Sequence, residues 1–188
     1  MSGWLCIMAD LRIRTASLEL VAGTGKLLNA DTAGVCSLAE CLEAEVPCDH
    51  WPPELWKDAV DEFRVRTDRH PDIVGWLSWY WILTDNSKKV LIGCGGFTGA
   101  PFNGEVMIGY SVLAPFQSKG YGTEAVRALV NWAFAHLSIH RISAETFPDN
   151  RASIRLLEKC GFEYGGKGFE KGTIRFYLPR EKWLLTKN

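Results

Sequence analysis

The residues with the types and spacing to do chemistry stand together in Gln117-Ser118-Lys119-Gly120-Tyr121-Gly122-Thr123. An alternating run, Glu105 to Val112, precedes them, and a run with helical spacing, Thr123 to Leu137, follows. A strand that turns through glycines into a helix leaves several backbone N–H groups unpaired and pointing one way, with the positive end of the helix dipole behind them. That is a cradle for phosphate. Gly120 has no side chain to keep a ligand off the backbone, and Gly122 lets the first turn pack tightly or take a positive φ. Glycine spacing alone also matches many ordinary loops, so the cradle needs support from its surroundings.

The support lies downstream. A second strand, Arg141 to Phe147, is followed by Pro148-Asp149-Asn150, a helix from Arg151 to Cys160, and Gly161-Phe162. Asn150 or Asp149 can cap this helix, and Gly161 is placed to end it in the left-handed conformation. These residues resemble the GNAT superfamily of acyl-CoA-dependent N-acetyltransferases, whose diphosphate loop reads Gln/Arg-x-x-Gly-x-Gly/Ala and is matched by Gln117, Gly120 and Gly122. The family's second signature, Asn-x-x-Ser before a helix ending in Gly-Phe, is matched by Asn150, Ser153 and Leu156 to Phe162. Two linked motifs in the right order are far more specific than either one. The resemblance is close from about Glu105 to Leu178. Upstream it is looser and, through Leu11 to Leu20, is similar to the subgroup of ribosomal-protein N-terminal acetyltransferases.

The resemblance implies an α/β (α+β) fold, with a mixed, mostly antiparallel sheet of roughly six to seven strands flanked by helices. It implies that the sheet splits between Glu105–Val112 and Arg141–Phe147 and holds acetyl-CoA there. The diphosphate would rest on Gln117, Ser118, Lys119, Gly120, Tyr121, Gly122 and Thr123, and the pantetheine arm along Ser111, Val112, Asn150 and Ser153. Family mechanism implies direct attack by the amine with no acyl-enzyme, the thioester carbonyl being polarised by a backbone N–H near Tyr110 to Val112.

Glu145 matches, by its spacing to Asn150, a glutamate that some N-terminal acetyltransferases use as general base. Their proton-donating tyrosine is replaced here by Leu157, which leaves Ser153, one turn earlier, or a water to serve the leaving thiolate. Glu105 is the other acidic candidate, but strict alternation turns it to the wrong face unless a bulge intervenes. The resemblance also implies an acceptor wall containing Asp49, His50, Trp51 and Trp56; taken singly, each of these reads first as part of a rigid loop whose tryptophans seal the core. A peptide α-amine, with a pKa of about 7.7–8.0, is partly neutral near neutral pH, whereas a lysine amine at about 10.4 needs much stronger help. A site without an obvious acid–base pair therefore leans towards α-amines. An antibiotic or metabolite amine, or acyl-CoA binding without catalysis, are the competing expectations. A P-loop is disfavoured because no lysine stands between Gly122 and Thr123.

The remaining chain is scaffold. With 188 residues, 47% hydrophobic and 23% charged, it reads as one soluble domain. A net charge of −1 provides no global field for nucleic acid or an anionic membrane. No apolar run approaches the roughly 20 residues of a membrane span. Met1 to Met8 lacks the basic flank of a signal peptide, which makes the cytoplasm the default location and a monomer or homodimer the default state. The six cysteines show no Cys-x-x-Cys pair, so reduced thiols are expected and no metal. Leu11 to Leu20 reads as one strand with an irregularity near Ala16-Ser17, and Lys26 to Glu45 as one or two helical pieces. The prolines of Val46 to Pro53 force a break, after which Glu54 to Arg69 reads as a helix with Leu55, Ala59, Phe63 and Val65 as its apolar face. Gly75 to Leu83 and Val90 to Phe97, joined at Asp85-Asn86-Ser87, read as a hairpin. Gly93, Gly95 and Gly96 mark a bulge or a close backbone approach. Phe162 to Tyr164 and Thr173 to Leu178 read as a closing hairpin.

Overall fold

The computed structural model describes residues 11–85 and 88–185. Eight strands form one sheet: β1 (Arg12–Arg14), β2 (Leu18–Ala22), β3 (Ser78–Asp85), β4 (Lys88–Phe97), β5 (Glu105–Val112), β6 (Arg141–Thr146), β7 (Glu163–Lys167) and β8 (Ile174–Pro179). Their spatial order is β1-β2-β3-β4-β5-β6-β8-β7, and every neighbouring pair is antiparallel except β5 and β6. Six α-helices complete the described chain: α1 (Gly25–Ala33), α2 (Val35–Leu42), α3 (Glu54–Arg69), α4 (Tyr121–Ala135), α5 (Arg151–Lys159) and α6 (Arg180–Leu185). None of them is long and apolar enough to cross a membrane.

The alternation of the central strands sorts the core into two layers. Trp79 and Trp81 of β3, Val106 and Ile108 of β5, and Ile142 and Ala144 of β6 pack with Val126, Leu129 and Phe134 of α4 and Leu157 of α5. Tyr80 and Ile82 of β3 face the other way, onto Leu28 of α1, Leu38 of α2 and Trp56 of α3. The aromatic run Trp79-Tyr80-Trp81 is covered on both sides, as its composition anticipates.

Three local readings change. The single strand expected over Leu11 to Leu20 is a hairpin, β1 with β2, because Glu124 of α4 accepts bonds from the Thr15 hydroxyl (2.6 Å) and the Ser17 N–H (2.7 Å) and pins a turn between them. The buried face of α3 is Trp56, Val60 and Thr67, with Phe63 of the expected face packed against Trp56, whereas Leu55 and Val65 stand in solvent. Leu137, the end of the expected helical run, is 91% exposed, because α4 ends at Ala135 and His136 caps it. Residues 86–87 of the expected hairpin turn lie outside the described residues, as does Met1 to Met8.

The glycines of β4 fulfil both of their expected roles. A side chain on Gly95 would run into the Trp81 ring and the Tyr110 Cβ, and one on Gly93 would press on the Ser111 carbonyl. The ladder's irregularity falls beside them: Trp81 pairs with Gly93 and Ile82 with Leu91, which leaves Ile92 of β4, next to Gly93, as the extra residue.

Candidate active site

The one parallel pair in the sheet is also its break. β5 and β6 pair at Glu105↔Arg141, Val106↔Ile142 and Met107↔Ser143 and no further, while β4 stays paired to β5 along Ile108 to Val112. Among the described residues, one edge of β5 from Ile108 onward therefore has no strand beside it. Gly109 lies exposed on that stretch, with nothing within 4 Å of where a side chain would be.

At the end of β5 the chain makes a short turn and reaches the glycine loop. Gln117 folds back, its side-chain amide donating to the Val112 carbonyl at 2.8 Å. Ser118 (φ 61°) and Gly120 (φ 91°) adopt left-handed backbone, and Gly120 caps α4 without any side-chain acceptor. Among the described residues, the N–H groups of Ser118 to Thr123 have no protein partner, the first intrahelical bond being Glu124 N–H to the Gly120 carbonyl at 3.1 Å. Six donors at a helix N-terminus with the open side of Gly120 before them fit a diphosphate. Lys119 adds a cation, its Nζ 5.6 Å from the centre of the Phe116 ring.

Of the two roles open to Gly122, the structure gives it close packing. It is buried, and a Cβ there would come within 2.8 Å of Leu156 Cδ1 and 3.3 Å of Val112 Cγ2. It thus seats the helix start on α5 and β5. The two helices are also tied by Arg127, whose Nη2 donates to the Lys159 carbonyl at 2.6 Å. A groove of about 870 Å³ passes from the cradle along α4, lined by Arg14, Thr123, Arg127, Asn131 and Lys159.

Across the break, Asn150 caps α5 by accepting from the Ser153 N–H at 3.1 Å, which leaves its amide NH₂ available. The Tyr110 phenol of β5 meets the Ser153 hydroxyl of α5 at 3.0 Å. Burial pushes the Tyr110 pKa well above its ordinary value, with the nearby Cys160 adding to the rise and the bond to Ser153 opposing it. Tyr110 therefore stays neutral and serves as a hydrogen-bonding group. Ser111 and Val112 are half-buried beside it.

The opposite face of the break, turned towards α1, α2 and α3, carries Glu105, Met107, Gly109 and Ser111 from β5 and Arg141, Ser143 and Glu145 from β6. Both carboxylates there are engaged. Glu105 is paired with Arg141, and Glu145 with Arg175 of β8. Glu145 Oε1 accepts from Arg175 Nε at 2.9 Å and from the Phe169 N–H at 3.0 Å. Its Oε2 accepts from the Glu170 N–H at 3.2 Å and the Thr173 hydroxyl at 2.8 Å. Burial acts to raise this carboxyl's pKa, but the bonds from Phe169, Thr173, Glu170 and Arg175 outweigh it and hold the pKa below its ordinary value.

The expected acceptor wall divides. Asp49 and His50 are exposed, whereas Trp51 and Trp56 are each only 5% exposed. Their indole N–H groups donate to Asp31 of α1, at 2.8 Å from Trp51 and 2.6 Å from Trp56, and the Tyr80 hydroxyl donates to the same carboxylate at 2.9 Å. Trp51 is thus a buried strut and not a side chain lining open space, a correction that follows from its bond to Asp31. No local spacing marks Asp31 of α1 as this acceptor, since its donors stand 20 to 49 residues away. Among the described residues, no cluster of His, Cys, Asp and Glu has the composition to hold a metal.

Comparison with known proteins agrees with this geometry. The acetyltransferase (GNAT) domain family matches residues 29–163, and the chain belongs to that family. An uncharacterized N-acetyltransferase of Bacillus subtilis (strain 168), YjdG, is 34% identical over 161 residues, covering 85% of this chain and 90% of its own. The [ribosomal protein uS5]-alanine N-acetyltransferase of Escherichia coli (strain K12) is 33% identical over 91 residues, 47% of each chain. Among solved structures, the aminoglycoside acetyltransferase AAC(6')-Ib in complex with coenzyme A superposes with a TM-score of 0.60 at 22% identity, covering 92% of this chain and 100% of that one. The protein is an N-acetyltransferase that acts on an amine.

Proposed function

We propose that the protein transfers an acetyl group from acetyl-CoA to the α-amine of a peptide or protein N-terminus. The observation that carries this reading is the state of the two carboxylates beside the break: Glu105 and Glu145 are both neutralised by arginines. A polycationic acceptor, whether polyamine or aminoglycoside, needs free negative charge to hold it, and a lysine ammonium needs a free base to deprotonate it. Neither is offered there. An α-amine needs less, being partly neutral already. The partial relative that acts on the alanine of ribosomal protein uS5 supports the same acceptor chemistry.

When bound, acetyl-CoA supplies an activated acyl group as a thioester. The N–H groups of Ser118 to Thr123 hold its diphosphate, the basic groove along α4 takes the nucleoside end, and the Asn150 amide and the unpaired edge of β5 hold the pantetheine amides. A β5 N–H near Tyr110 to Val112 polarises the thioester carbonyl. The amine nitrogen then bonds to the carbonyl carbon, the C–S bond breaks with its electron pair on sulfur, and the proton lost by nitrogen reaches sulfur. We assign the passage of that proton to Ser153, which the neutral Tyr110 phenol orients.

The test is thiol release from acetyl-CoA with three acceptor sets: peptides with free N-termini, the same peptides N-blocked but carrying lysine, and polyamines with aminoglycosides. Free N-termini are expected to be acetylated, with a rate that rises to a plateau through one amine ionisation. Efficient turnover of polyamines or aminoglycosides with peptides untouched would overturn the assignment, and binding of acetyl-CoA with no turnover of any amine would mark a silent binder.

A further inference from the structure

Glu145 occupies the position at which a general base is expected, yet its surroundings are built for another task. Glu145 stands two residues beyond Ser143, where the pairing of β6 with β5 ends, and its side chain lies on the face turned to the acceptor side. Every bond it accepts comes from one short segment of chain, the turn between β7 and β8: two successive N–H groups (Phe169 and Glu170), the Thr173 hydroxyl, and Arg175 at the start of β8. The turn is shaped around the carboxylate. At Gly168 a side chain would overlap both Thr173 Oγ1 and Glu145 Oε2, and the Gly168 N–H closes the turn on the Thr173 carbonyl at 3.0 Å.

What this arrangement holds out is apolar. Phe169 is 86% exposed although its ring covers the Arg175 guanidinium, and Phe147, where β6 ends, is 54% exposed. Gly172 of the same turn lies against Phe147, a Cβ there coming 3.9 Å from Phe147 Cε1. Two exposed phenylalanines on one rim of the break form a surface that water does not favour, and the paired charges behind them leave no attraction for a cation.

We propose that Glu145 is a positioning residue: it clamps the β7–β8 turn so that Phe169 forms the apolar wall of the acceptor site, selecting N-termini whose first or second side chain is apolar. This rests on the peptide α-amine reading above and specifies the acceptor within it. The carboxylate has no free lone pair directed at an ammonium, and the bonds from four donor groups keep it ionised and occupied.

The experiment is steady-state kinetics of Phe169→Ala, Glu145→Gln and the double variant, with peptides beginning in an apolar or a polar residue. Each single variant is expected to raise the KM for the apolar peptide about tenfold or more, the size of a lost apolar contact. The kcat, the KM for acetyl-CoA, the KM for the polar peptide and the pH at which the kcat limb turns should stay unchanged. The double variant should be no worse than either single one, because both remove the same wall. A Glu145→Gln enzyme with kcat down roughly a hundredfold, KM unmoved and the basic limb lost would make Glu145 the base and overturn the proposal, as would fully multiplicative effects. Hydrogen exchange reads the clamp without any acceptor. The Phe169 and Glu170 amides should exchange faster in Glu145→Gln than in the wild type, and unchanged exchange would refute the clamp even if no peptide proved to be a substrate.

Discussion

The two glycines of the phosphate loop predict opposite kinds of defect when each is given one methyl group. At Gly120 the φ of 91° is left-handed, which costs an L-residue roughly 1–2 kcal/mol, and a Cβ would meet nothing within 4 Å. For a chain of 188 residues that is a fall in Tm of about 2–8 °C, from about 2–4 °C per kcal/mol. Binding should suffer more. The strain is relieved by turning the Gly120 peptide, which redirects two or so of the N–H groups between Ser118 and Thr123; at about 1.5–3 kcal/mol per charge-assisted bond, the Kd for CoA weakens by about a hundredfold or more.

At Gly122 the order reverses. The methyl lands 2.8 Å from Leu156 Cδ1 and 3.3 Å from Val112 Cγ2. Overpacking of about 1–3 kcal/mol is offset by about 1 kcal/mol of helix propensity, so Gly122→Ala loses roughly 0–2 kcal/mol. Leu156→Ala in that background should recover the smaller loss of CoA binding by making room for the methyl, and should not rescue Gly120→Ala. The assays are calorimetric titration with CoA and a thermal scan of each variant. A folded Gly120→Ala protein that binds CoA within about threefold of wild type would refute the claim that these backbone donors carry the affinity.

Three further outcomes follow from particular side chains. Asp31→Ala leaves the indole N–H groups of Trp51 and Trp56 and the Tyr80 hydroxyl without their acceptor, so Tm should fall by about 5–15 °C while CoA affinity holds; a fall under about 3 °C would show that Asp31 is not the tie between α1, α3 and β3. Asn150→Ser keeps an oxygen for the Ser153 N–H but loses the side-chain amide, so Tm should hold and the KM for acetyl-CoA should rise roughly 5–10-fold; an unchanged KM would leave Asn150 as a cap alone. Glu145 has a folded-state pKa below its ordinary 4.5, so it contributes stability that is full above pH 4.5 and is lost as pH falls through the lowered value. In urea titrations the gap between wild type and Glu145→Gln should therefore be constant above pH 4.5 and close below it, and a gap that widened on acidification would contradict the direction of the shift.

What could be read from the letters is what local pattern dictates. β5 runs from Glu105 to Val112 as its alternation states, and Asn150 and Gly161 bound α5 because capping chemistry is local. The start of α4 was misplaced by two residues, since Gly120 takes the capping role that a polar side chain usually signals. Where the reading failed, the deciding contact is distant in sequence. A turn at Thr15–Ser17 depends on Glu124, a tryptophan's role depends on Asp31, and a glutamate's role depends on donors beyond Gly168. In each case one carboxylate gathers donors from elements that only the folded sheet brings together. Spacing can propose such a carboxylate for catalysis, but whether its lone pairs are free is a property of its neighbours. The same two oxygens on Glu145 that would make a base make a clamp once Phe169, Glu170, Thr173 and Arg175 reach them first.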